Sequence, residues 1–164
     1  MSIKTGLIAE LTREAAMTKK ILERVPLDKK DWTPHEKSMT LGRLATHIAD
    51  TIGWVSRVIN ITDFDFVANK LPTHTASSSE ELLQIFQDNL DKALADLEKS
   101  TIEDLDVIWT VRVGDKVMYE IIKKVAIRAW AFSHLVHHRG QLSVYLRILD
   151  VPVPGMYGPS ADEQ

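Results

Sequence analysis

The sequence predicts an all-α fold, a four-helix bundle carrying one small β-hairpin before its last helix. Four segments repeat apolar residues at helical spacing. One short segment between the third and the fourth switches to alternation instead. The 164 residues, 45% hydrophobic and 26% charged, have the balance of one ordinary globular domain spanning residues 1–164. A chain of that length can bury roughly 70% of its unfolded surface and needs no metal or disulfide merely to fold.

The first helix is marked by Leu7, Leu11, Ala15, Thr18, Leu22 and Val25, with Arg13, Lys20, Glu23 and Arg24 on the other side. Pro26 stops it. The second starts near Ser38 or Thr40, either of which can cap free backbone N–H groups. Its stripe is Leu41, Leu44, Ala45, Ile48, Ile52, Val55 and Ile59. At about 100° per residue His47 falls beside that stripe with Thr51 and Trp54, while Asp50 and Arg57 point further away. The segment from Ile61 to Ser77, with Pro72 and a Thr/Ser-rich end, reads as a loop. It is long for a helix connection, usually about 2–8 residues, and can cross the bundle. Ser78 with Glu81 is a capping-box pair opening the third helix, whose face is Leu82, Leu83, Phe86, Leu90, Ala93, Leu94 and Leu97.

Between Asp106 and Tyr119, Trp109, Val111, Val113, Val117 and Tyr119 alternate with polar neighbours around Gly114-Asp115, a two-residue turn. The fourth helix runs from about Glu120 to Leu149. Ile127, Trp130, Ala131, His134, His138, Gln141, Leu142 and Tyr145 share one face, and Arg128, Arg139, Ser143 and Arg147 are placed opposite. The proline-rich tail from Val151 to Pro159 cannot be helical.

Several function classes are excluded. The absence of Cys removes disulfides, thiolate zinc sites and a protein thiol nucleophile. A net charge of −3 with no basic stripe argues against nucleic acid. The longest stretch without a charged residue, Val151 to Ala161, has 11 residues, against about 20 for a membrane-spanning helix. The segment Met1-Ser2-Ile3-Lys4-Thr5-Gly6 leads into a charged amphipathic pattern unlike a signal peptide, so a cytoplasmic protein is expected.

The chemistry-bearing constellation is His134 and His138, spaced i, i+4. That spacing stacks two imidazoles on one helix face, close enough for one metal ion. Both sit in an apolar stripe, where an unsatisfied polar group costs about 1–3 kcal/mol. A metal removes that cost, and His47 can supply a third nitrogen. For the pair alone, hydrogen-bonded core histidines are the more ordinary account. His137 points about 100° away from His138 and reads as a supporting or surface residue. His35 and His74 read as solvated. Trp54 and Trp130 read as core, or as a pocket wall. Gln141 and Tyr145 continue the histidine line and read as satisfied bundle interior, with a role as substrate contacts as the alternative. Asp50 is a candidate base or supporting group only if turned inward.

The segment His134-Leu135-Val136-His137-His138-Arg139-Gly140-Gln141-Leu142 resembles the His-x-x-His-His-Arg-Gly-Gln hallmark of the DinB/YfiT-like superfamily, unrelated to the polymerase of similar name. Trp32-Thr33-Pro34-His35, Lys37-Ser38, Leu44-Ala45-Thr46-His47-Ile48 and the tail segments Pro152-Val153-Pro154 and Tyr157-Gly158-Pro159-Ser160 extend the resemblance along nearly the whole chain. It implies an up-down-down-up helix order, a divalent metal on His47, His134 and His138, and a homodimer. Characterised relatives include transferases acting on low-molecular-weight thiols such as bacillithiol and mycothiol, a thiol-dependent isomerase and domains of sulfur-transfer enzymes. Three neutral imidazoles would leave the cation its full charge and an open position, as in catalytic sites. Zinc or nickel suits such a site, with iron or manganese also compatible. The expected function is activation of a small-molecule thiol, or of water, for transfer to an electrophile. The alternative is a non-catalytic, stress-related metal-binding dimer.

Overall fold

A computed structural model describes residues 2–71 and 73–163, so Met1 and Pro72, both used above, lie outside the described residues. Helix α1 (Ile3–Leu22) is capped by Ser2, whose hydroxyl accepts from the Thr5 N–H. Helix α2 (Leu41–Thr51) is capped by Thr40, accepting from Arg43 N. After a break, α3 (Trp54–Asn60) continues the chain to β1 (Asp63–Asp65). Helix α4 (Ser79–Lys99) and the short α5 (Ile102–Leu105) lead to strands β2 (Ile108–Val113) and β3 (Lys116–Ile122). The last helical run comprises α6 (Lys123–Ala126), a π-helical stretch (Ile127–Ser133) and α7 (His134–Ile148).

The all-α four-helix bundle is therefore corrected to a mixed architecture. Its strands form a three-stranded sheet in the order β1-β2-β3. The hairpin read from alternation is present, antiparallel from Ile108↔Ile122 to Val113↔Lys116. Gly114 takes φ +59° in its turn, where a side chain would strain the backbone. The third strand was hidden in the segment read as loop. β1 pairs parallel to β2, with Asp63 opposite Thr110 and Asp65 opposite Arg112. Three residues are too few for alternation to register. What holds β1 is long-range: Asp65 Oδ1 accepts from Gly114 N at 2.9 Å, and Arg112 Nε donates to Asp63 Oδ1 at 2.8 Å.

The second predicted helix is two helices. A Cβ on Gly53 would lie 2.8 Å from Asn89 Oδ1 and 3.1 Å from the Asp50 carbonyl. Asn89 reaches across from α4 to donate to the Ala49 carbonyl at 3.2 Å. The neighbouring helix thus presses on the chain where α2 ends. The capping box at Ser78 is half formed. Ser78 accepts from Glu81 N, but the Glu81 carboxylate turns back to the Ser77 N–H and hydroxyl.

Helix α4 packs on α1, α2 and α3, and α7 packs between α2 and α1. Buried Leu11, Leu44, Ile48, Phe86, Leu135 and Leu142 belong to the shared core. Trp54, Phe64, Trp109 and Trp130 join the sheet to the helices, Trp54 edge-on to Phe64 at 5.0 Å between ring centres. Lys123 fixes the start of the last helical run: its backbone N–H donates to the Val107 carbonyl, and Nζ to that of Ile59 at 2.6 Å. Among the described residues no helix is long and apolar enough to cross a membrane.

Candidate metal centre

His47 stands in the second half of α2, and His134 and His138 occupy the first two turns of α7. Packing of α2 on α7 brings the three rings together. Their ligating nitrogens all lie within 4.8 Å of one another. His134 Nε2 is 3.4 Å from His47 Nε2 and 2.8 Å from His138 Nε2. Nitrogens about 2.0–2.1 Å from a zinc ion at tetrahedral angles sit roughly 3.3 Å apart, so the spacing fits one shared cation.

The protons strengthen that fit. His138 Nδ1 lies 2.7 Å from Gln141 Oε1, which can only accept, so this ring carries its proton on Nδ1 and a lone pair on Nε2. His134 hydrogen-bonds the Trp130 backbone. Two imidazole lone pairs 2.8 Å apart repel unless a cation or proton lies between them. Protonation is disfavoured. Burial, then the neighbouring His138, His134 and Arg43, lowers the His47 pKa to about 4. Burial is also the largest cause of the lowered values at His134 and His138, although the Trp130 and Gln141 hydrogen bonds oppose it. Neutral imidazoles at pH 7 are the form that ligates a metal.

Gln141 therefore supports a ring rather than lying free in the pocket. Tyr145, the other candidate substrate contact, donates to the Met39 carbonyl at 3.2 Å and stands edge-on to Trp32. Those contacts fasten α7 to the loop before α2. His137 is exposed and meets the His138 ring edge-on at 4.9 Å between centres. His35 and His74 are exposed, as expected.

Asp50 and Arg57 differ from expectation. Both are half-buried and line a recess with Arg43, His47, Trp54 and Leu71. Burial raises the Asp50 pKa, against the pull of His74, Arg57 and Arg43. Residues 43, 47, 50, 54 and 57 recur every three or four positions, so a polar stripe was available in the sequence beside the apolar one.

Arg139, expected on the outer face, is buried instead. It is 2% exposed. Its Nη2 donates to Glu14 Oε2 at 2.6 Å and to the Tyr157 hydroxyl, and its Nη1 donates to the Glu14 carbonyl and Thr18 Oγ1, each at 3.0 Å. Tyr157 in turn donates to Glu14 Oε2 at 2.6 Å. Because α7 is wedged between two helices, it buries two adjacent faces: His134 and His138 face α2, while Arg139 reaches α1.

The site defines a class: a mixed fold that brings three imidazoles from two helices close enough together to hold one metal ion. The DinB family profile matches residues 1–164, and the chain belongs to the DinB family. It is similar to the uncharacterized protein YrdA of Bacillus subtilis (strain 168), 27% identical over 157 residues covering 92% of this chain and 85% of that one. It is likewise 27% identical over 133 residues to the uncharacterized YjoA of the same organism, covering 80% of each. The crystal structure of the DinB-like protein YjoA shares the fold at TM-score 0.72 and 21% identity, over 97% of this chain and 99% of that one. A DinB-like protein from Bacillus cereus ATCC 10987 gives 0.70 and 23%, over 93% and 97%.

Proposed function

We propose that this protein is a metal-dependent enzyme that activates a small-molecule thiol, or water, for attack on an electrophile. One observation carries the reading: the convergence of the His47, His134 and His138 Nε2 atoms, with the His138 proton held away by Gln141. A divalent cation on three neutral imidazoles supplies Lewis acidity that makes a thiol or water nucleophilic near neutral pH. The protein has no Cys, so a thiol must arrive as a substrate. Gln141 fixes the tautomer and the orientation of the His138 ring. Asp50, in the adjoining recess, is placed to hold a proton near His47.

Chelator-stripped protein should take up one equivalent of zinc, and each single His→Ala variant should lose it. A panel of low-molecular-weight thiols and electrophiles should then show turnover only with metal. Full occupancy in all three variants refutes the ligand set. Metal that raises the melting temperature without consuming any electrophile leaves the non-catalytic reading in its place.

We also propose a homodimer. β3 is a sheet edge with Val117 and Tyr119 more than half exposed, and unpaired apolar edges invite pairing with a second strand.

A further inference from the structure

The recess on the α2 side of the three histidines has a volume of about 50 Å³, with walls that include Arg43, His47, Asp50, Trp54 and Arg57. Two guanidinium groups face one carboxylate there. Among the described residues neither arginine side chain makes an ion pair, and Arg43 Nη1 is buried with no hydrogen-bond partner. A buried, unpaired donor on a charged group is an expensive arrangement that a bound anion would offset. The Arg57 guanidinium carbon lies 5.2 Å over the Trp54 ring centre, which restrains its fork.

We propose that this recess binds a monoanionic group of the carboxylate class on the substrate, with Arg43 and Arg57 as the residues that select it. The proposal deepens the enzymatic reading above and rests on it. Two guanidinium groups against one carboxylate leave the recess with an excess of positive charge, which a bound anion would offset. The planar guanidinium presents parallel N–H donors matched to a carboxylate. Since His47 forms one wall, the anionic group would sit beside the cation position. The substrate class is therefore a thiol, or an electrophile, with a carboxylate a few bonds from its reacting atom.

The test uses cobalt(II)-loaded protein and two probes of one skeleton, 3-mercaptopropionate and its neutral methyl ester. Dissociation constants are read from the thiolate-to-cobalt charge-transfer absorption. The carboxylate probe should bind about tenfold more tightly than the ester, as a charge-assisted pair in a partly buried site gives. That ratio should fall to about one in Arg43→Gln and in Arg57→Gln, and be partly retained in Arg43→Lys. Ester affinity and cobalt uptake should not change in any of the three variants. Cobalt uptake with equal binding of the two probes, with no binding of 3-mercaptopropionate, or with the ratio intact in both Gln variants overturns this proposal alone. Failure of the unsubstituted protein to take up cobalt overturns the metal reading and this proposal with it.

Discussion

Replacing Arg139 with Met should be among the most damaging single changes away from the cation position. The side chain is 2% exposed and spans α7 to α1, with donors to Glu14, Thr18 and Tyr157. Glu14 is equally buried. Removing the guanidinium leaves a carboxylate inside the protein with only Tyr157 and Arg13 to hold it. Breaking a buried pair from one side costs about 3–5 kcal/mol, a large part of the roughly 5–15 kcal/mol that stabilises a domain. Urea unfolding at pH 7 should show that loss with an unchanged slope. The pH dependence supplies a sharper criterion. In the intact protein burial raises the Glu14 pKa, but the Tyr157 and Arg139 hydrogen bonds and the Arg139 charge outweigh it, so the net value falls below the ordinary 4.5. A lowered folded-state pKa means the ionised group contributes stability above about pH 4.5, and that contribution disappears as pH drops through the lowered value. Without Arg139, burial stays while two of the lowering contributions go, so the carboxyl should titrate higher than in the parent. The stability that the parent loses on acidification through the Glu14 titration should then shrink or vanish in the variant. A loss under about 1 kcal/mol, or an unchanged pH slope, would refute the account of this network.

Gln141→Ala should weaken zinc binding about 10–100-fold by freeing the His138 ring, with little change in metal-free stability, as measured by competition with a chromophoric chelator. Gly53→Ala should cost about 1–2 kcal/mol in thermal unfolding, because the new Cβ displaces Asn89 and its bond to Ala49. In an Asn89→Ala background the cost of the same change should shrink, the crowding against the Asp50 carbonyl remaining. Light scattering should give twice the chain mass, and Val117→Lys should return the monomer if β3 forms the contact.

The elements that were legible in the sequence are those whose signal is local. Thr40 and Ser78 caps, the stripe from Leu82 to Leu97 and the alternation around Gly114-Asp115 each depend on neighbours within a few residues. The histidine cluster was legible for the same reason, since i, i+4 spacing fixes a helix face and the hallmark segment supplied the rest. What escaped needed partners far along the chain. β1 exists because Arg112 and Gly114 bind its aspartates, and the α2–α3 break sits where Asn89 arrives from α4. Arg139 was misplaced because a single-stripe reading assumes one buried face, whereas α7 has two. Asp50 and Arg57 point away from the apolar stripe, where charged residues on a helix are usually solvated, so the recess that half-buries them beside Arg43 is evident only in the fold.

The seven π-helical residues just before His134 carry a consequence for how this site tolerates changes in length. Each residue advances a helix by about 100°. Deleting one residue between Ile127 and Ser133 would leave every histidine in the chain, yet rotate the end anchored by Lys123 against the end that carries the imidazoles. Both ends could not then keep their partners. Insertions and deletions should accordingly be poorly tolerated there.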